Sequence, residues 1–104
     1  MSAPVDATLD EMIRRIVDRF DPVRIYLFGS RARGDARPDS DYDLLVVLDR
    51  CSDRRAAAVA IRHALRDMLA GKDILVATAA ELDERPGLLV EQVLREGNSV
   101  YERP

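Results

Sequence analysis

The sequence is poor in the residues that announce the commoner catalytic and metal chemistries. Cys51 is the only cysteine and His63 the only histidine. A lone cysteine cannot close an internal disulfide, so a reducing compartment, the cytoplasm, is the expected location. With one Cys and one His there is no zinc-ligand pattern, and no Ser–His arrangement for nucleophilic catalysis is present. No apolar run approaches the roughly 20 residues a membrane span needs. The start of the chain carries acids and no apolar h-region, so a signal peptide is not expected. Lys72 is the only lysine, and arginine supplies every other basic residue. Gly29 and Gly34 have the gap of a Walker A loop, but Asp35-Ala36 stands where Lys followed by Ser/Thr is required. That acid excludes a P-loop nucleotidase, and no G-x-G-x-x-G is present.

What remains is a chain of 104 residues, 34% charged and 47% hydrophobic, with a formal net charge of −3. That balance fits one globular domain over residues 1–104 with a modest core. It argues against generic nucleic-acid binding, which needs a basic surface.

The informative stretch is 24–48, RIYLFGSRARGDARPDSDYDLLVVL. A short apolar run, Ile25 to Phe28, stops at Gly29-Ser30 and reads as a strand. After a polar loop, Asp41-Tyr42-Asp43 opens a second apolar run to Leu48, read as a strand buried on both faces and central in its sheet. Side chains two apart on a strand share a face, so Asp41 and Asp43 project together while Tyr42 points away. Paired carboxylates repel unless a cation sits between them, and Mg²⁺ beside substrate phosphates is the usual solution. Gly29 lets a ligand approach the backbone, and the Ser30 hydroxyl with the N–H groups of a helix start can bind phosphate oxygens.

Gly29-Ser30 followed after ten residues by Asp41-Tyr42-Asp43 resembles the signature of the polymerase-beta-like nucleotidyltransferase superfamily. The longer string FGSRARGDARPDSDYDLLVV is similar to the minimal nucleotidyltransferases (MNT), antitoxins paired with HEPN-domain toxins. The resemblance implies a palm-like fold and Mg²⁺-dependent transfer of AMP from ATP to a tyrosine hydroxyl of the partner ribonuclease. Two Mg²⁺ ions would be held by Asp41 and Asp43, with Asp73 as the third acid on the next core strand. Gly29 and Ser30 would cradle the triphosphate, with Arg31 and Arg33 as further nucleotide contacts. For Asp73 the competing expectation is a surface ion pair with Arg24 or Lys72. Two other functions stay open: an antitoxin that neutralises its partner by binding alone, and a stand-alone transferase for a small-molecule hydroxyl. Nearly all of the length is used by the core unit, so the acceptor is expected on a partner protein. No base-reading residue can be named.

The remaining elements follow from periodicity and caps. Residues 1–5 read as a loose start. Thr8 to Glu11 has capping-box form before an amphipathic helix ending at Asp21-Pro22. Ser30 is expected to cap a helical turn that Gly34 ends. Ser52 is expected to cap a helix to about Ala70, burying Ala58, Ile61, Leu65, Met68 and Leu69, with Gly71 as its C′ residue. Lys72 to Ala77 reads as a third strand, Thr78 to Glu81 as a capping box, and 86–96 as a last helix with Leu89, Val90, Val93 and Leu94 inward. Residues 99–102 read as a short edge strand. The order predicts an α/β (α+β) fold: a small mixed sheet covered by helices.

Overall fold

The computed structural model describes residues 6–104, so the expectation for residues 1–5 lies outside it. The elements run α1 (Ala7–Phe20), β1 (Arg24–Phe28), α2 (Ser30–Arg33), β2 (Tyr42–Leu48), α3 (Arg54–Ala64), β3 (Lys72–Thr78), α4 (Ala79–Glu84), α5 (Leu88–Glu96) and β4 (Asn98–Glu102). The four strands form one mixed sheet in the order β3-β2-β1-β4. β1 pairs antiparallel with β2 and β4, whereas β2 and β3 run parallel. β2 is thus interior, as its doubly apolar sequence requires, and β4 is an edge.

The strand period divides the apolar residues between two layers. Leu44 and Val46 of β2 join Ile25, Leu27, Ile74 and Val76 against Met12 and Ile16 of α1 and Ile61 of α3. Leu45 and Val47 face the opposite way and pack with Tyr26, Ala77 and Val93 of α5, flanked by Leu82 of α4. Helices therefore cover both faces of the sheet. Asp41 and Asp43, in phase with Leu45 and Val47, fall on the α4/α5 side, at the end of β2 where the apolar sequence begins.

Several boundaries differ from expectation, each for a local reason. The N-cap of α1 is Asp6, whose carboxylate accepts from Leu9 N at 3.1 Å. Thr8 lies inside the first turn, so the Thr8–Glu11 capping box does not form. Glu11 instead bonds Arg14 and Arg15. Asp21 ends α1 in the left-handed region at φ 46°. The N-cap of α2 is Gly29, not Ser30; Ser30 is the first helical residue, and Gly34 closes the turn at φ 86°.

The largest departure is α3. Asp53, not Ser52, caps it, with its carboxylate accepting from Ala56 N at 3.0 Å. The helix stops at Ala64 rather than running to Ala70. Short turns follow, closed by Arg66 N to His63 O at 3.2 Å and Met68 N to Leu65 O at 3.0 Å. Leu65 stays buried, but the turns rotate Leu69 fully into solvent. The chain must reverse early because Lys72 has to start β3 level with Tyr42. In α5 Val93 is buried while Leu89 is exposed. Gly87, rather than Pro86, precedes its first turn. The capping box of α4 forms as read, with Thr78 N donating to Glu81 Oε1 at 3.1 Å.

Two leucines four residues apart report where α3 ends. Leu65→Ala should lower the unfolding free energy by about 2–5 kcal/mol. Leu69→Ser should change it by no more than about 0.5 kcal/mol. Urea melts of the two variants measure both; comparable losses would mean that the helix continues past Leu65.

Candidate functional site

The site lies at one end of the sheet, where β1 finishes and β2 and β3 begin. Parallel pairing sets Asp43 directly opposite Asp73. Register partners in adjacent strands share a face, with backbones about 4.8 Å apart. Asp41 precedes β2 by one residue and lies against Gly71, which directly precedes β3. On the other flank Phe28 is the register partner of Asp43, so the chain turns at Gly29 beside the Asp43 carboxylate. Three acids from two strands thus converge next to the Gly29-Ser30 turn.

Two glycines make room for them. A Cβ at Gly29 would overlap Asp43 Oδ2, and a Cβ at Gly71 would overlap Asp41 Oδ1. Gly29 also needs its freedom for a φ of 72°. Gly71 has a function that the sequence reading missed, because it was assigned as the C′ residue of α3. With that helix ending at Ala64, Gly71 leaves space for one carboxylate, and its carbonyl accepts from Tyr42 N at 2.9 Å. The Gly–Lys–Asp string before an apolar strand was the available signal: such a glycine can mark close approach as well as a helix end.

The electrostatics are those of uncompensated like charge. Burial, then the neighbouring Asp73 and Asp41 carboxylates, push the Asp43 carboxyl above its ordinary value, while Arg33 pulls the other way. Among the described residues none of the three acids takes part in a salt bridge. The two cations considered for Asp73 are engaged elsewhere: Arg24 pairs with Glu102 at 3.2 Å, and Lys72 Nζ donates to Met68 O at 2.9 Å. No set of three or more His, Cys, Asp or Glu side chains among the described residues closes into a ready-made metal cage. The donor set nonetheless fits Mg²⁺, which is usually bound by one or two carboxylates together with waters and substrate phosphates.

The two arginines of α2 part company. Arg33 is exposed and near enough to Asp43 to oppose its raised pKa; its Nε lies 3.4 Å from Asp35 Oδ2. Arg31 is not gathered with the acids. Its guanidinium stacks on the Tyr42 ring, 3.8 Å from the centroid, across the strand from the carboxylates. Ser30, whose hydroxyl does not cap α2, is partly exposed at the helix start. Ser40 closes the turn into Asp41, its Oγ accepting from Arg37 N at 2.8 Å.

The raised pKa has a definite linkage. Below the unfolded-state value, about 3.9, the carboxyl of Asp43 is neutral in both states and costs nothing. As pH rises toward the raised folded value a folding penalty develops, and it is complete above that value. Asp43→Asn should therefore melt at a higher temperature than the parent at pH 7 in chelator. The gain should shrink as pH falls and vanish below the ordinary carboxylate range. Melting curves across pH test this; an Asn variant less stable at pH 7 would contradict it.

Comparison with known proteins shows the family and the fold. A nucleotidyltransferase-domain family model matches residues 9–100. No curated protein matches the chain. A variant of the MntA–HepT toxin–antitoxin superposes with a TM-score of 0.69 at 22% identity, covering 96% of this chain and 75% of that one. A Sulfolobus solfataricus protein provisionally described as a nucleotidyltransferase gives 0.67 at 22% identity, with 92% and 78% covered. A toxin–antitoxin structure with AMP-PNP gives 0.60 at 24% identity, with 90% and 73% covered. At these identities the solved structures establish a shared fold, and the family match covers most of the chain. With three clustered carboxylates beside a Gly-Ser turn and a family match over nine-tenths of its length, this chain belongs to the nucleotidyltransferase-domain family.

Proposed function

We propose that this protein is the antitoxin of a toxin–antitoxin pair, with residues 1–104 acting as one minimal nucleotidyltransferase domain. It transfers AMP from ATP to a tyrosine hydroxyl on a HEPN-type ribonuclease partner. The observation that carries the reading is the register of Asp43 against Asp73, with Asp41 alongside and Gly29-Ser30 next to them. No structural need of the fold places three unpaired acids in one corner. The resemblance of the fold to MntA–HepT and to a toxin–antitoxin with AMP-PNP supports the choice of partner and nucleotide.

In this reading Asp41 and Asp43 would hold two Mg²⁺ ions, with Asp73 either a further ligand of the second or the base for the acceptor hydroxyl. When bound, the ions supply charge neutralisation of the triphosphate and acidify the acceptor hydroxyl. The protein's own groups do the rest. The N–H groups at the start of α2 and the Ser30 hydroxyl hold the β- and γ-phosphates, and Arg33 adds a positive charge on the same flank. Where Asp73 does not ligate the second ion, it takes the proton of the acceptor hydroxyl. The hydroxyl oxygen bonds to the α-phosphorus as the bond to the β-phosphate oxygen breaks, releasing pyrophosphate. Catalysis is mostly positioning and electrostatics, as in phosphoryl transfer generally.

Incubation with α-labelled ATP, Mg²⁺ and the partner should label the partner on tyrosine. Asp41→Asn and Asp43→Asn should each lower the rate by more than about 100-fold, since loss of an outer-shell group alone can cost that much. Undiminished transfer in both would overturn the enzyme reading. Neutralisation in cells that survives in the double variant would show that the partner is silenced by binding alone.

Gly71→Ala supplies a separate check on the site. The overlapping atom is the end of a mobile carboxylate, so the fold should tolerate the methyl to within about 1 kcal/mol. Transfer should still fall at least about tenfold, because Asp41 is displaced. A fully active Gly71→Ala would contradict the role given to Asp41.

A further inference from the structure

The guanidinium of Arg31 is committed to the backbone that leads into Asp41. Its Nε and Nη2 both donate to Ser40 O, at 3.2 and 2.9 Å, and Nη2 lies 3.3 Å from Pro38 O. Its face covers the Tyr42 ring at 3.8 Å. A planar fork satisfies this combination of two carbonyls and one ring; a lysine ammonium has neither the fork nor the flat face.

The anchor beneath it is equally defined. Tyr42 is 5% exposed, and its hydroxyl donates to Asp6, 3.1 and 2.9 Å from the two carboxylate oxygens. Asp6 is also the cap of α1. The stack thus ties α2, the 38–40 segment and the start of β2 to the N-terminus of α1.

The consequence falls on one residue. The Ser40 carbonyl belongs to the peptide unit entering Asp41, and Arg31 holds it. The Tyr42 N–H belongs to the unit leaving Asp41, and Gly71 O holds it at 2.9 Å. Peptide units are planar, so pinning both constrains the two backbone dihedrals of Asp41 and the direction of its Cα–Cβ bond. We propose that Arg31 is a positioning residue for Asp41, setting that carboxylate for a divalent cation, and is not a ligand of the triphosphate. The inference rests on the nucleotidyltransferase reading, and it revises the nucleotide contact expected of Arg31 from the sequence. It also makes the phosphate turn and the first acid one mechanical unit, because Arg31 follows Ser30 in the same short helix.

The test uses the whole chain, with Mn²⁺ as a paramagnetic probe and a non-hydrolysable ATP analogue. Mn²⁺ affinity is read by electron paramagnetic resonance in the parent, Arg31→Ala and Arg31→Lys. Both variants should bind Mn²⁺ about 10–100-fold more weakly, whereas analogue affinity at saturating Mn²⁺ should stay within about threefold. Amide hydrogen exchange at residues 39–42, measured without metal or nucleotide, should accelerate in both while exchange in β1 stays slow. The β1 amides also show that the variants are folded, and Arg31→Lys retains the charge if Arg31→Ala does not fold. Unchanged Mn²⁺ affinity and exchange, with analogue affinity lost at saturating Mn²⁺, would make Arg31 a triphosphate ligand and overturn the proposal. Failure of the parent itself to bind Mn²⁺ with the analogue would instead overturn the nucleotidyltransferase reading and this inference with it.

Discussion

Three carboxylates of like charge are held together at the end of a small sheet, and the surrounding structure is arranged to bear that repulsion. Asp43 and Asp73 are forced side by side by the parallel register of β2 and β3. Asp41 is brought in by the peptide units on either side of it. No salt bridge among the described residues relieves the cluster, and burial together with the neighbouring Asp73 and Asp41 carboxylates pushes the Asp43 carboxyl above its ordinary value. Folding alone would not favour such a corner, because like charges gathered without a counter-charge repel. In the proposed function a cation would supply the missing positive charge and a polyphosphate the further oxygen ligands.

The rest of the molecule supplies rigidity for that corner. β2 lies in the interior of the sheet, with Leu44 and Val46 packed toward α1 and α3 and Leu45 and Val47 toward α4 and α5. A strand buried on both faces cannot slip register without moving every side chain to the wrong layer. The acids therefore inherit their positions from the core. The glycines do the opposite work by leaving space: Gly29 and Gly71 lie where any side chain would meet a carboxylate. Substitution at Gly71 displaces a carboxylate before it disturbs the fold, whereas at Gly29 the φ of 72° adds backbone strain.

Much of this was legible in the residues. Short apolar runs identified β1, β2 and β3, and the i, i+2 spacing put Asp41 and Asp43 on one face. The capping box at Thr78 was read correctly because its signal is local. The misassignments have a common cause in contacts that sequence windows do not contain. Leu69 kept helical spacing with Leu65, yet α3 stops early because β3 must begin level with Tyr42. Thr8 had capping-box form, but Asp6 caps α1 and also receives the Tyr42 hydroxyl, 36 residues away. Ser30 looked like a cap and is the first helical residue. Arg31 and Arg33 looked equivalent, and the stack on Tyr42 with the hydrogen bonds to Ser40 O and Pro38 O separates them. The Asp43–Asp73 pairing depended on which strands neighbour each other, which periodicity alone does not reveal.

In the proposed function these acids bind a nucleotide only through a divalent cation. Isothermal titration of the protein with a non-hydrolysable ATP analogue, with Mg²⁺ and then with chelator, tests it most directly. Binding with Mg²⁺ and almost none in chelator is the expected result, because bare carboxylates repel a polyphosphate. Equal affinity in the two conditions would contradict it.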